Sequence, residues 1–422
     1  MGRDWIALFI FIFSYLSFVI FPQKRTLAAF AGGFLLIFLR VLSWGEAFSA
    51  VNWNVMGIFV GTLAVADVFM RSRVPAYCAE IIVDKAKNTL WAILFICALT
   101  GFISAFVENV ATVLIVAPIA LSLARKLKMN PVSMMIAIAV SSNLQGAATL
   151  IGDPPSMLLG GVAKMNFGDF FLYKGRLSIF FAVELGALAS LVVLYFLFAR
   201  HRQKTRIIPV EKVSSWVPTW ILTGLIVTLA LSSFIDTGCE YAAGMICMAC
   251  GAVSLFWDRL STGRSVFPAL KGLDWDTTLF LASIFVIIGA LSLTGWVDRL
   301  ADCLAGLVGG NIFFAYTAIV FFSVIVSAFV DNVPFLAAML PVAMNMSLRL
   351  NIEPALFLFG LLIGASLGGN ITPIGASANI VSCGLLKKEG YIVRFGDFVK
   401  IGVPFTLAAV LSAYLFVWFV WK

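Results

Sequence analysis

Long apolar stretches, separated by short charged or Gly/Pro-containing breaks, recur along the whole chain. Each is close to the roughly 20 residues that a bilayer-spanning helix requires. The ten-residue alternation of apolar and polar positions that is typical of membrane barrels is absent. The pattern predicts an all-α polytopic membrane protein. Its apolar segments lie near residues 5–21, 27–43, 53–70, 90–127, 132–163, 178–199, 218–234, 238–256, 278–295, 312–348, 355–386 and 401–421.

Two of these stretches, 90–127 and 312–348, are too long for one span and carry a carboxylate near the middle. Glu108 lies in the first and Asp331 in the second, and each is followed by Asn. Each stretch fits either two full spans or a re-entrant hairpin. Irregular backbone is not tolerated against lipid, so a hairpin tip must be buried in protein or line a cavity. The polar content of the tips favours hairpins.

The two carboxylates belong to an internal repeat. The segments SAFVENV (104–110) and SAFVDNV (327–333) differ at one position, and Glu108 and Asp331 are 223 residues apart. At the same spacing, LQGAATLIGDPPS (144–156) aligns with LGGNITPIGASAN (367–379). One constant spacing across two polar motifs indicates a duplication.

The repeat predicts the domain organisation. Each half contains about five crossings plus one re-entrant hairpin, and its segment 132–163 or 355–386 contains a broken helix. Because five is odd, the second half is inverted, as in many secondary transporters. We expect a first inverted repeat at 1–199, a cytoplasmic basic linker at 200–215, and a second inverted repeat at 216–422.

Composition and charge support this class and exclude others. The chain is 62% hydrophobic and only 12% charged, against about 25% charged in soluble domains. Most of its 29 Lys and Arg residues fall in loops on one side of the predicted topology, which places the basic loops in the cytoplasm and both termini outside. We therefore expect a multi-pass protein of the cell (inner) membrane.

Enzymatic chemistry is not expected. The chain has a single histidine, and its seven cysteines fall mostly in apolar segments. We therefore predict no enzyme activity, no cofactor, no metal centre and no nucleic-acid partner. The expected partners are the lipid bilayer and a small inorganic solute or ion, with H⁺ or Na⁺ as the coupling ion.

The candidate transport site combines the hairpin tips with the two Gly/Pro-interrupted segments. Gly permits close backbone approach, and Pro lacks a donor, so these segments expose backbone groups to a ligand. Structural roles remain as alternatives to ligand binding. Each interruption can be a simple kink, the hydroxyls of Thr149 and Thr372 can bond back to the preceding turn of their own helix, and Asp153 can be a helix cap. The predicted substrate-binding residues are Asn109, Thr112, Asn143, Gly146, Thr149, Gly152, Asn332, Gly369, Asn370, Thr372, Gly375, Ser377 and Asn379; the predicted coupling residues are Glu108, Asp331 and Asp153.

Four motifs carry a family resemblance: ENVAT (108–112), GAATLIGDPPS (146–156), DNVPF (331–335) and GASLGGNITPIGASAN (364–379). With them the chain resembles the ion-transporter superfamily, most of all the ArsB-type arsenite permeases and the P-protein group. DNVP is also similar to NhaD-type sodium/proton antiporters. The divalent-anion/sodium symporters share the implied architecture, but their tips typically read Ser-Asn-Thr, whereas Glu108 and Asp331 stand in the Ser place here.

The resemblance and the charge pattern suggest a substrate. Two carboxylates without a Lys or Arg in the motifs disfavour a multiply charged anion and suit neutral arsenous or antimonous acid, or a small cation. We predict proton-coupled efflux of arsenite or antimonite, and thus arsenical resistance. A sodium/proton antiporter, a sodium-coupled dicarboxylate carrier and an anion channel remain alternatives. A homodimer is one expected assembly, and for an arsenite permease the resemblance also implies an ATPase subunit as a partner.

Overall fold

The computed structural model describes residues 2–127, 129–203, 211–235, 239–263 and 265–422. These parts are almost entirely helical; one ribbon of two-residue strands, β1 (Leu172–Tyr173) and β2 (Arg176–Leu177), and three 3₁₀ turns accompany the helices. The helices are α1 (Arg3–Ile20), α2 (Arg25–Phe38), α3 (Trp44–Ala50), α4 (Trp53–Arg71), α5 (Val74–Lys85), α6 (Thr89–Ser104), α7 (Asn109–Leu127), α8 (Val132–Gly146), α9 (Pro154–Ala163), α10 (Ile179–Phe198), α11 (Val217–Ser232), α12 (Ala242–Thr262), α13 (Val266–Gly272), α14 (Trp275–Leu293), α15 (Trp296–Val308), α16 (Ile312–Ser327), α17 (Asn332–Arg349), α18 (Pro354–Gly368), α19 (Ser377–Lys388) and α20 (Phe395–Trp421).

Some of the predicted apolar segments are single long helices, and others are divided. Within the described residues, eight helices are long and apolar enough to cross a membrane, or nine if the bent pair α15 and α16 is counted as one span. The long stretches 90–127 and 312–348 are each two helices that meet at the Glu108 or Asp331 turn. The predicted crossings 132–163 and 355–386 are broken helices, α8 with α9 and α18 with α19.

The duplication is visible in the helix boundaries. Helices α3 to α9 reappear as α13 to α19 with starts displaced by 222 or 223 residues, for example Thr89 and Ile312. The predicted fold, two inverted repeats with a hairpin and a broken helix in each, is confirmed. The exact limits 1–199, 200–215 and 216–422 stay a prediction, and residues 204–210 of the linker lie outside the described residues.

The two halves are interleaved in space. Helix α4 of the first half packs along α12 of the second, α2 packs along α14, and α10 packs along α20. Glycines allow the α4–α12 approach: a Cβ on Gly244 would lie 2.8 Å from the Asn54 carbonyl oxygen, and one on Gly251 would lie 3.0 Å from the Gly61 carbonyl oxygen. Helices of each half are therefore packed against helices of the other half.

The hairpins and broken helices form the other part of the protein. Helices α6 and α7 pack on α8, and α16 and α17 pack on α18. The second arm of each hairpin also crosses to the other half, since α7 contacts α19 and α17 contacts α9. Helix α18 is buried along its whole length. This packing brings both interrupted segments to the centre of the molecule.

Candidate functional site

Each broken helix is interrupted by a loop that glycines allow to fold tightly. The first loop lies between α8 and α9, and the second follows a 3₁₀ turn, Gly369–Ile371, before α19. A Cβ on Gly152 would collide with the Gly146 carbonyl oxygen, and one on Gly375 would lie 2.6 Å from the Gly369 carbonyl oxygen. The same close contact thus occurs at matching places in the two halves.

Threonines tie each loop to the hairpin tip of its own half. The Thr149 hydroxyl donates to the Ala105 carbonyl oxygen, and the Thr372 hydroxyl donates to the Ala328 carbonyl oxygen. Both threonine side chains are fully buried. In this conformation their donors are used inside the protein, so any contact of these residues with a substrate would go through the acceptor side of the hydroxyl.

Three asparagines join the two loops across the halves. The Asn143 amide donates to Asn370 Oδ1 at 2.9 Å and to Asn379 Oδ1 at 2.8 Å. The Asn379 amide in turn donates to the carbonyl oxygens of Gly369 and Thr372, both at 2.9 Å. All three asparagines are buried. The network satisfies these polar groups and fixes the two broken helices relative to each other.

The first hairpin tip is surrounded by oxygen atoms. The Ser104 hydroxyl donates to Asn109 Oδ1 at 2.6 Å, and the Ser142 hydroxyl donates to the Asn109 carbonyl oxygen at 3.1 Å. A Cβ on Gly146 would lie 2.5 Å from Asn109 Oδ1 and 2.9 Å from Asp153 Oδ2. The structure therefore brings together three predicted site residues, Asn109, Gly146 and Asp153, and Ser104 and Ser142 join them.

Four helix N-termini, those of α7, α9, α17 and α19, surround the loops, and three have carboxylate caps. Glu108 accepts from Ala111 N at 2.9 Å, Asp153 accepts from Ser156 N at 3.1 Å, and Asp331 accepts from Val333 N at 3.0 Å. Asp153 is thus a helix cap, one of its two predicted roles. Helix α19 is preceded by Ala376 and has no side-chain cap. Asn379 N already bonds to the Ala376 carbonyl oxygen, so the N–H groups of the first two residues of α19 and its positive dipole end are left for another acceptor.

Asp331 is paired with a cation that the sequence analysis did not anticipate. Arg25, the first residue of α2, forms an ion pair with Asp331, and the two side chains are 21% and 27% exposed. The Arg25 guanidinium also lies 4.9 Å from the centroid of the Phe280 ring. The motifs themselves contain no Lys or Arg, but α2 supplies one from elsewhere in the chain. The expectation of two uncompensated carboxylates is therefore wrong for Asp331. Glu108 has no ion-pair partner within the described residues.

The other predicted residues differ in their surroundings. The buried Thr112 hydroxyl donates back to the Glu108 carbonyl oxygen at 3.1 Å, within its own helix. Asn332 is half-buried at the second tip, and Ser377 is exposed in the first turn of α19. Ser104 could have been recognised from the repeat, since it opens the matched motif. Arg25 could not, because nothing around it is repeated.

The polar groups suit a solute or a monovalent cation better than a transition metal. Among the described residues, no group of three or more His, Cys, Asp or Glu side chains could hold a metal ion. The first tip offers hydroxyl, amide and carbonyl oxygens with Asp153 nearby. This donor set can bind a proton, a small hard cation or a hydroxylated solute.

Comparison with known proteins defines the class. The profile of the citrate transporter (CitMHS) family matches residues 15–262 and 241–422. The chain belongs to this family of the ion-transporter superfamily, and it is a multi-pass membrane transporter.

Relatives and solved structures agree. An uncharacterized transporter of Mycobacterium bovis is 28% identical over 98% of this chain and 97% of its own length. The mouse P protein is 27% identical over 91% of this chain and 56% of its own length. The Alcanivorax borkumensis YdaH transporter has the same fold, with a TM-score of 0.62 and 14% identity over 90% of this chain and 88% of its own. The resemblance seen in the motifs, including that to the P-protein group, is confirmed.

Proposed function

We propose that the chain is a proton-coupled secondary carrier whose solute binds between the two interrupted loops, beside the N-terminus of α19. The observation that supports this proposal is that the N-terminus of α19 has no side-chain cap. Asp153 caps α9 in the first half, and Ala376 takes the equivalent place in the second. An oxygen atom of the solute would occupy the position that the Asp153 carboxylate fills in the other half.

The first candidate substrate is arsenite or antimonite, as the neutral hydroxide, carried outward. Its hydroxyl groups need both donors and acceptors. The exposed Ser377, the first-turn N–H groups of α19 and the half-buried Asn332 offer these. The unpaired Glu108 carboxylate supports a neutral rather than a multiply charged solute. The resemblance to the arsenite permeases points the same way.

The second candidate is a citrate-like carboxylate. Two observations favour it: Arg25 offsets the charge of Asp331, and the family to which the chain belongs is described as citrate transporters. An uncapped helix N-terminus is also a favourable place for a carboxylate. For this solute we expect the coupling cation, H⁺ or Na⁺, to be bound together with the substrate.

We also propose a location and an orientation for the protein. It lies in the cell (inner) membrane, with the basic loops in the cytoplasm and both termini outside. A homodimer and, for an arsenite permease, an ATPase subunit are the proposed protein partners. The limits 1–199, 200–215 and 216–422 are proposed for the repeats and the linker.

The deciding experiment is flux in proteoliposomes that contain the purified full chain. Arsenite, citrate and sodium are tested side by side under an imposed pH gradient and under solute counterflow. We expect saturable, pH-driven arsenite flux and counterflow. Citrate flux in its place would support the second candidate, and large uncoupled currents in a planar bilayer would identify a channel and contradict the proposal.

A further inference from the structure

A carboxylate that the transport motifs do not include lies inside a predicted span. Glu184 belongs to α10, in a sequence that is otherwise apolar. It lies in the second turn, about 8 Å along the axis from the start of α10. Ionisable side chains at such positions are costly and usually serve a function. Glu184 is half-buried, so its surroundings decide which function.

Glu184 lines a cavity of about 190 Å³ that α6, α8 and α10 enclose, with Phe405 of α20. The other polar lining groups are Ser141 and Gln145, one turn apart on α8, and the Cys97 thiol on α6. The remaining lining is apolar. The cavity also borders the first hairpin, because Ala105 and Phe106 line it, whereas Ser142 and Gly146, on the neighbouring face of α8, contact the tip itself.

Polar groups in this cavity are incompletely paired. Gln145 and Ser141 are 9% and 6% exposed, and Gln145 Oε1 has no donor within the described residues. The Ser141 hydroxyl lies beside the Cys97 thiol but makes no hydrogen bond of ordinary geometry there. The Gln145 amide lies beside the Glu184 carboxylate. A buried acceptor without a donor is unfavourable. The Glu184 carboxylate and the unpaired Gln145 Oε1 are both acceptors, so a proton on Glu184 would supply the donor that is missing between them.

The pseudo-symmetry shows that this arrangement is specific to the first half. Gly364 and Gly368 stand where the first half has Ser141 and Gln145. A Cβ on Gly368 would lie 2.6 Å from the Val324 carbonyl oxygen, so α18 packs directly on α16. Counted from the shared Phe-Gly-Asp-Phe motif, Ser412 corresponds to Glu184, and its hydroxyl bonds to its own helix at 2.7 Å. The fold does not need these polar groups, because the second half does without them.

We propose that Glu184, Gln145 and Ser141 form a proton-binding site in this membrane-embedded cavity, beside the first hairpin but distinct from the Glu108 carboxylate at its tip. The Glu184 carboxylate takes one proton from water that enters the cavity, and the new O–H donates to Gln145 Oε1 or Ser141 Oγ; release returns the proton to water. The three residues offer four side-chain oxygens and a single carboxylate, which is a poor set for Ca²⁺ with its six to eight oxygen ligands. The titratable neighbour that lines the cavity from the packed helices is Cys97.

The position of Gln145 connects this site to transport. Gln145 directly precedes Gly146, whose carbonyl oxygen accepts from Ser156 at 3.1 Å within the first loop. A change in the hydrogen bonding of Gln145 is therefore transmitted to the end of α8 at the solute site. The Glu184 site adds a proton-binding step to the proposed proton coupling, and its effect on transport rests on that proposed function. Proton binding at Glu184 itself can be measured without a substrate.

Infrared difference spectroscopy of the full chain in lipid, recorded between acidic and alkaline pH, tests the site. We expect a carboxyl C=O band that titrates in the wild type and is lost in Glu184→Gln. The matched control is Glu353→Gln, which removes a half-exposed carboxylate ion-paired with Lys174 at 2.7 Å. A titrating spectrum unchanged in Glu184→Gln overturns the proposal. So does a Glu184 band that responds to added sodium at fixed pH but not to pH.

Two further variants keep the test valid if Glu184→Gln does not fold. Gln145→Met and Ser141→Ala remove the neighbouring acceptors, and each should displace the midpoint of the band by about one pH unit. An unchanged midpoint in both overturns the proposal. In proteoliposomes, Glu184→Gln should lower pH-driven uptake at least about tenfold while counterflow persists. If the band is lost but neither arsenite nor citrate moves in the wild type, the substrate proposal fails and the proton site stands.

Discussion

Arg25 and Asp331 illustrate how one side chain changes the charge of a site. The pair joins the start of α2 to the tip of the second hairpin, and the Tyr15 hydroxyl supports the same tip by donating to the Pro334 carbonyl oxygen at 2.6 Å. The first tip has no equivalent cation within the described residues. The two tips are alike in sequence but differ in charge, with Asp331 compensated and Glu108 not.

We predict that Arg25→Met destabilises the protein and that a second change restores it. Removing one member of the pair leaves the other charge unpaired, at a cost of roughly 1–3 kcal/mol, below the roughly 3–5 kcal/mol of a fully buried pair because both side chains are partly exposed. The double variant Arg25→Met with Asp331→Asn should recover most of the loss. Thermal unfolding in detergent measures all four proteins of the cycle. A loss in the double variant equal to the sum of the two single losses would show that the pair is not coupled.

The carboxylates at the tips should differ in their effect on coupling. Because Glu108 has no cation partner, it can take up a proton, whereas the Asp331 carboxylate is held by Arg25. We expect Glu108→Gln to lose pH-driven uptake while it retains counterflow, and Asp331→Asn to be milder in this respect. Both activities are measured in proteoliposomes. Full pH-driven transport by both variants would assign the carboxylates to structure alone.

For individual residues, the sequence predicted which ones belong to the site but not which residues they bond to. The motif repeat identified Asn109, Asn143 and Asn379 as site residues because their neighbourhoods are repeated. It could not show that Asn143 bonds to Asn370 and Asn379, since that contact joins residues more than 220 positions apart. The ion pair of Arg25 was missed for the same reason.

Among the elements, the interrupted loops depend most on their glycines. We predict that Gly152→Leu and Gly375→Leu abolish transport, because any side chain at either position meets the backbone of the facing glycine. Overpacking of this kind costs about 1–3 kcal/mol, so the protein should still reach the membrane. Gly224→Leu is the control, since a Cβ there has no neighbour within 4 Å.

Membrane abundance and solute flux are compared for the three glycine variants. Normal flux in both loop variants would remove the loops from the transport site. Reduced flux in Gly224→Leu would show instead that any added bulk disturbs the protein.

The helices themselves were largely predictable, and the short ones were not. Apolar runs predicted the spans, and the Gly and Pro positions predicted both breaks. Helices α3, α5, α13 and α15 were missed because they are short or mix charged with apolar residues, so they do not resemble spans. Their pairing, α3 with α13 and α5 with α15, becomes apparent only when the repeat spacing is applied to the whole chain.

For the molecule as a whole, the inverted topology predicts opposite membrane sides for the cysteines of the paired helices α5 and α15. Cys78 lies in α5, and Cys303 lies at a similar place in α15 of the inverted half. With both termini outside, α15 faces outward and α5 faces the cytoplasm. In single-cysteine variants, a membrane-impermeant maleimide applied to intact cells should label Cys303 and spare Cys78 until the cells are opened.

Labelling of Cys78 alone in intact cells would reverse the proposed orientation. Labelling of both residues in intact cells would contradict the inversion itself.

The overall packing was the part least accessible from the sequence. A duplicated sequence suggests two bodies side by side, whereas the structure exchanges helices, with α4 on α12 and α2 on α14. Hydropathy indicates which helix faces are shielded from water, but it does not show whether lipid or another helix covers each face. Only glycines such as Gly61 and Gly251, which permit close helix contact, hint at the exchange.

The asparagine bridge has a consequence for the ancestry of the chain. By the repeat spacing, the counterparts of Asn143, Asn370 and Asn379 are Ser366, Ala147 and Ser156. A protein assembled from two copies of the first half would therefore place Ala and Ser where the partner amides belong. It would lack the link between its broken helices, and so would one made from two second halves. After the duplication the halves became specialised, and neither gene segment can now replace the other.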